Sequence, residues 1–183
     1  MKKFVVAAAL VMSMGATADA SDAGLTAGFL DWGDAGSGFS LGARFGHELK
    51  DNIALDVHAY RNAASTSRMG VDVSTSQILI GAGARYYFAE DGLQPFASGH
   101  LNYGLEAEAC TDASGAMAAA GVQSSVAVDT CGSGGGGITM DIGGGVRYPI
   151  SDSLFTDGIA AFDLGLADNE TALHIIASVG MMF

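Results

Sequence analysis

The feature that most restricts the fold is a two-residue alternation that ends four times on the same short pattern. Gly42-Ala43-Arg44-Phe45, Gly83-Ala84-Arg85-Tyr86 and Gly145-Val146-Arg147-Tyr148 each close such a run. Gly180-Met181-Met182-Phe183 closes the last one, with Met182 in the arginine's place. In that final run Phe183, Met181, Val179, Ala177, Ile175 and Leu173 share one face, and Met182, Gly180, Ser178, Ile176 and His174 share the other. A period of two is that of a β-strand, whose successive side chains point to opposite faces. An apolar face that runs out to a terminal aromatic suits a strand that faces lipid and stops at a membrane interface. The four matching ends predict four strands returning to one side of a membrane, in a chain of repeated hairpins.

The same alternation recurs along the chain. It predicts strands over 23–32, 39–46, 53–60, 77–88, 93–105, 138–148, 154–164 and 173–183. Segments 33–38, 48–52, 89–92, 149–153 and 167–170 have turn composition, 61–75 is a polar, Ser-rich loop, and 106–137 is the longest irregular stretch. Eight strands of about 8 to 12 residues, one continuous apolar face and connections of uneven length fit a membrane barrel. In lipid every backbone group needs an internal partner, so the sheet must close. The predicted class is all-β: an eight-stranded antiparallel transmembrane up-and-down β-barrel.

The charged residues of these strands obey the same parity. Arg44, Arg85, Arg147, Asp56, Asp141, Asp157 and Asp163 all fall opposite the apolar face. A charge facing mid-bilayer lipid is costly, so these side chains belong in the lumen. Eight strands enclose little more than their own side chains, so the charges should pair there. An internal cluster is expected near the short-turn end, with Asp56 and Asp157 in reach of the arginines and inward glycines making room. Phe45, Tyr86, Phe88, Tyr148 and Phe183 are predicted at one membrane interface. Trp32, Phe39, Tyr103 and Phe162 are predicted toward the other.

The start of the chain has a different character. Met1-Lys2-Lys3 is basic, and 4–14 is an apolar run of about 11 residues, too short to span a bilayer. Ala18-Asp19-Ala20 fits a cleavage site, which predicts a signal peptide over 1–20 and a barrel domain over 21–183. Without Asp19, Lys2 and Lys3, 19 acidic and 6 basic side chains remain, a formal net charge of −13. That argues against nucleic acid, which demands a basic surface, and is compatible with divalent cations. Charged residues are only 15% of the chain, with 27 Gly and 2 Pro, which suits strands in lipid better than disorder. Cys110 and Cys131 would meet an oxidising compartment, so a disulfide is expected. It would close a loop of about 20 residues and contribute roughly 3 kcal/mol.

With its Gly-x-Arg-aromatic strand ends and its terminal Phe183 preceded by Met181 and Val179 at alternate positions, the chain resembles the small eight-stranded outer-membrane β-barrel family, the OmpA-like and OmpX-like barrels. The resemblance covers 21–183 and is architectural. It implies residence in the cell outer membrane, contact with its lipid and lipopolysaccharide, and a terminal signal (Phe183, Met181, Val179) presented to the barrel-insertion machinery. With the sequence ending on Phe183, no peptidoglycan-binding domain is expected after the barrel, so the anchoring role of two-domain relatives is not implied.

Candidate chemistry is sparse. His58, His100 and His174 are predicted inward and His47 at a turn. Outer-membrane lipid-modifying enzymes of similar architecture place His and Ser two apart on one strand face. Here Ser98 precedes His100, the reverse order, and no supporting acid stands out. Histidines packed in the lumen are the expectation, with no catalytic site and no cofactor. Glu106, Glu108, Asp112 and Asp129 surround the cysteines; they could meet divalent cations, but lack a dense calcium-loop pattern and read as a solvated acidic loop. Gly132-Ser133-Gly134-Gly135-Gly136-Gly137 lacks the Lys-Ser/Thr of a phosphate loop. The expected role is structural, in envelope integrity or in surface interaction through extracellular loops. The alternative is a small or gated channel, with a lipid-modifying enzyme third.

Overall fold

The computed structural model describes residues 21–33, 36–50, 52–68, 71–112, 129–134, 137–166 and 171–183. The predicted signal peptide over 1–20 and the predicted turn over 167–170 lie outside the described residues. Among the described residues nine strands follow one another: β1 (Ser21–Asp31), β2 (Ser37–Lys50), β3 (Ile53–Arg68), β4 (Val71–Tyr87), β5 (Gln94–Asp112), β6 (Asp129–Gly134), β7 (Ile138–Ser151), β8 (Leu154–Gly165) and β9 (Thr171–Met182). Every pairing is antiparallel. β1 to β5 pair in sequence, β5 pairs β7, β7 pairs β8, β8 pairs β9, and β9 returns to β1. These eight strands close a barrel, and β6 stands outside the circuit. The first and last described residues seal the last seam: the Ser21 and Phe183 amides each donate to the other's carbonyl at 2.9 Å.

Parity sets inside from outside. Leu25, Leu41, Leu101, Ile142, Ile175 and Val179 are exposed on the outer wall, while Arg44, Asp56, Arg85, Asp141, Arg147, Asp157 and Asp163 are buried inside. A barrel in water would reverse this arrangement; an apolar exterior around a polar interior is built for lipid. Tyr86, Phe88, Tyr148 and Phe183 lie exposed toward the end that holds Ser21 and Phe183, the turn end. Phe39, Tyr103 and Phe162 are exposed toward the opposite, loop end. Phe45 departs from the expected girdle: it is only 7% exposed.

The strands are longer than the apolar alternation indicates. The expected loop over 61–75 is mostly strand: β3 continues to Arg68 and β4 starts at Val71, with those two residues paired. Part of the expected irregular stretch is also strand, since β5 runs to Asp112 and β6 pairs with it from Ala107 to Asp112. Residues 48–50 and 149–151, read as turns, belong to β2 and β7. These segments lie at or beyond the strand ends, so no lipid demands an apolar face. Serine, threonine and small residues then serve where the ladder alone is needed.

A β-bulge marks the point of departure. Leu79 pairs with Gly104 but Ile78 pairs with Glu106, which leaves Leu105 as the extra residue. Below it β5 pairs with β7 up to Tyr103; above it β5 takes up β6 from Ala107. An inserted residue bends a strand and exchanges its faces. β2 reaches only to Ser65 on β3, so the ends of β3, β4 and β5, with β6, form a four-stranded sheet that outruns the rest of the barrel.

Candidate functional site

The lumen is built in two layers. Nearest the turn end, Arg44 on β2, Arg85 on β4 and Arg147 on β7 meet Asp22 on β1, Asp56 on β3 and Asp157 on β8. Asp157 Oδ2 is the hub, 2.5 Å from Arg44, 3.2 Å from Arg85 and 3.7 Å from Arg147. Asp56 Oδ2 lies 2.6 Å from Arg85 and 3.4 Å from Arg44. Asp22 lies 2.8 Å from Arg147 and 3.3 Å from Arg44. Three cations thus face three anions. Inward aromatics fill the remaining space: the Arg44 and Arg147 guanidiniums stand 4.9 and 4.3 Å from the Phe155 ring, and Arg85 stands 4.9 Å from Phe96. Arg44 is 1% and Arg85 2% exposed, so this layer fills the lumen at its level.

Toward the loop end the chemistry changes. His100 Nδ1 lies 2.6 Å from Asp141 Oδ1, and His174 Nδ1 lies 2.9 Å from Asp163 Oδ2. His58 Nε2 lies 2.9 Å from Asn102 Oδ1, and Asn102 Nδ2 donates to Asp141 Oδ2 at 3.0 Å. A small cavity of about 20 Å³ opens between these groups.

Of the seven charges assigned to one internal cluster, Arg44, Arg85, Arg147, Asp56 and Asp157 come together, whereas Asp141 and Asp163 stand apart with the histidines. The reason is register. Counting up from the β7–β8 turn, Arg147 faces Asp157, but Asp141 faces Asp163 six residues higher. Asp22 was missed because the first strand was started at Ala23; it begins at Ser21, which puts Asp22 on the inward parity of Gly24 and Thr26. The inward aromatics Phe96 and Phe155 were likewise not assigned a role. Asp141 supplies the acid beside His100 that sequence reasoning lacked. Ser98 Oγ has no hydrogen-bond partner among the described residues.

On the projecting sheet Cys110 and Cys131 face each other in register and form a disulfide, with their Cα atoms 4.1 Å apart. The bond ties β6 to β5, the one strand that pairs with it among the described residues. Asp72, Asp112 and Asp129 fall in one row across β4, β5 and β6. Glu108 is exposed near the disulfide. Phe183, Met181 and Val179 lie on the outer wall of β9, exposed.

A closed antiparallel barrel with an apolar wall and a polar, packed lumen is the fold of the small outer-membrane β-barrels. The chain is similar to several solved examples. Neisserial surface protein A matches with a TM-score of 0.61 at 17% identity, over 90% of this chain and 96% of that one. A major outer membrane protein from Thermus thermophilus matches with a TM-score of 0.61 at 10% identity, over 89% and 99%. Ail, the attachment invasion locus protein of Yersinia pestis, matches with a TM-score of 0.56 at 11% identity, over 91% and 100%. No protein-family model matches the sequence, and no curated protein matches it.

Proposed function

We propose that this chain is a non-enzymatic outer-membrane protein with a closed lumen, whose working surface is the disulfide-tied sheet of β3 to β6. Its role is in surface interaction or envelope integrity. The observation that carries this reading is the Arg44–Arg85–Arg147 layer, which occupies the lumen with ion pairs and aromatic rings and leaves the projecting sheet as the part built to meet other molecules. The attachment named for Ail supports the same direction by analogy of fold. Ail has also been solved with a heparin analogue, a polyanion; the acidic row on this sheet favours cationic partners and divalent cations instead. Lipopolysaccharide is the proposed neighbour in the outer leaflet.

Planar-bilayer recording on the purified protein tests the closed lumen. No steady single-channel steps are expected at moderate voltage. Regular steps would contradict the reading and favour the small-channel alternative.

The exposed apolar end of β9 supports a second element of the proposal, recognition by the barrel-insertion machinery. Phe183 contributes its backbone to the closing seam, but its ring packs into no core. Deleting Phe183 is therefore expected to slow assembly several-fold while leaving the finished barrel resistant to detergent. Equal rates of insertion for the deletion and the parent chain would contradict this.

A further inference from the structure

The loop-end layer of the lumen has more organisation than packing requires. Asp56 Oδ1, His58 Nδ1 and His100 Nε2 are all buried and have no hydrogen-bond partner among the described residues. The three residues are 1%, 5% and 6% exposed. Burying a polar atom without a partner is costly, and three such atoms within one small group of residues require an explanation. His58 Nδ1 lies 3.8 Å from Asp56 Oδ1, and His100 Nε2 lies 4.0 Å from Asp56 Oδ2. These separations are too long for hydrogen bonds. One ligating atom from each of the three residues can be chosen so that all lie within 4.8 Å of one another.

The opposite edge of each ring is already engaged, and this fixes what the free edge can do. Asp141 can only accept from His100, so in the neutral ring the proton sits on Nδ1 and Nε2 presents a lone pair. Asn102 spends its amide nitrogen on Asp141, so its oxygen must accept from His58 Nε2. His58 Nδ1 is then also a lone pair. Ring nitrogens held in one tautomer by a carboxylate or amide behind them are the usual support of a metal-binding histidine. The rings are braced as well: His58 stacks on Tyr60 with centroids 4.4 Å apart and meets His100 edge-to-face at 4.9 Å. Gly81 and Gly83 make the room, since a Cβ at Gly81 would strike His58 and Asn102, and one at Gly83 would strike His100.

We propose that Asp56, His58 and His100 form a binding site for one divalent transition-metal ion of the zinc type inside the barrel, with Asp141 and Asn102 as positioning residues. Two imidazoles and a carboxylate suit such an ion and not calcium or magnesium, which take oxygen ligands. Donors on one zinc ion, at bonds of about 2.0–2.2 Å, lie roughly 3.4 Å apart. The three ligating atoms, all within 4.8 Å of one another, would draw together around the ion to meet that. A cavity of about 20 Å³, large enough for one water, lies beside His58 and His100 on the side of Asn102 and Asp141. Charge favours the cation too. Asp56 is shared with the arginine layer, while the ion-pair partners of Asp141 and Asp163 among the described residues are histidines, not arginines. The inference is independent of the partner of the outer sheet and revises the expectation that these histidines only pack.

The test uses the folded protein in detergent, stripped with a chelator, and the same protein refolded with zinc sulfate present. After desalting, one zinc per chain is expected in the refolded sample. His58→Gln and His100→Gln should each lower retention at least tenfold, and Asp141→Asn by roughly 10- to 100-fold. His47→Gln, at the turn end, should bind as the parent does. Heat-modifiable migration reports whether each variant has folded. If the histidine variants fail to fold, X-ray absorption of the zinc-loaded parent chain decides the matter without substitution, with two imidazole ligands expected. No retained zinc, equal retention by folded histidine variants, or ligation by oxygen alone would overturn the site.

Discussion

Replacing Asp157 with alanine is expected to destabilise the folded barrel by roughly 3–5 kcal/mol, the range for removing one partner of a buried ionic network. Asp157 is shared by all three arginines, and its side chain is fully buried. Without it, three guanidiniums face only Asp22 and Asp56 in a site with little water to replace the lost partner. The cost arises less from the lost attraction than from the cations left uncompensated. The measurement is the urea concentration at which the heat-modifiable form gives way to the unfolded one. Asp157→Asn should fall between alanine and the parent chain, because it keeps an acceptor but not the charge. A midpoint for Asp157→Ala equal to that of the parent would contradict the cluster's role.

The second large effect lies on the outer wall. Leu25 is 74% exposed and sits below the level where Phe29 and Phe39 meet edge-to-face. In β1 its neighbours across the ladders are Ala43 and Val179, both on the apolar face. In water Leu25→Arg would be harmless or mildly favourable. In a bilayer it should cost about 2–4 kcal/mol near the midplane, whereas Phe88→Arg, at the interface, should cost only about 0–1 kcal/mol. Unfolding titrations in lipid vesicles separate the two. Equal, near-zero effects at both positions would mean that this wall does not face lipid.

Eight barrel strands and their inside–outside parity were legible in the sequence because lipid imposes a strict period of two. Every lumen charge discussed above falls on the parity that Arg44, Arg85 and Arg147 define. What was not legible shares a physical cause. The ends of β3, β4 and β5 and all of β6 are rich in Ser, Thr, Gly and Asp because nothing apolar covers them, so their strand pattern carries no hydrophobic signal. Residues 61–75 and 106–137 therefore look like loops. Asp141 and Asp163 were on the correct face but at the wrong height. Parity gives the face, whereas height needs the hairpin register counted from the turn, which the Arg147–Asp157 pairing supplies. Asp22 was lost beside the predicted cleavage site, where the first strand has no turn before it to announce its start. The histidine layer could not be found from spacing at all, since His58 and His100 meet only after β3, β4 and β5 curl into a wall.

The central claim, that the chain folds as a closed membrane barrel stiffened by a filled lumen, is tested most directly by gel migration of membrane-extracted protein with and without boiling. The folded form is expected to resist detergent at room temperature, to run apart from the boiled form, and to be recovered with the outer-membrane fraction. Identical migration before and after boiling, with the protein recovered in soluble form, would contradict it.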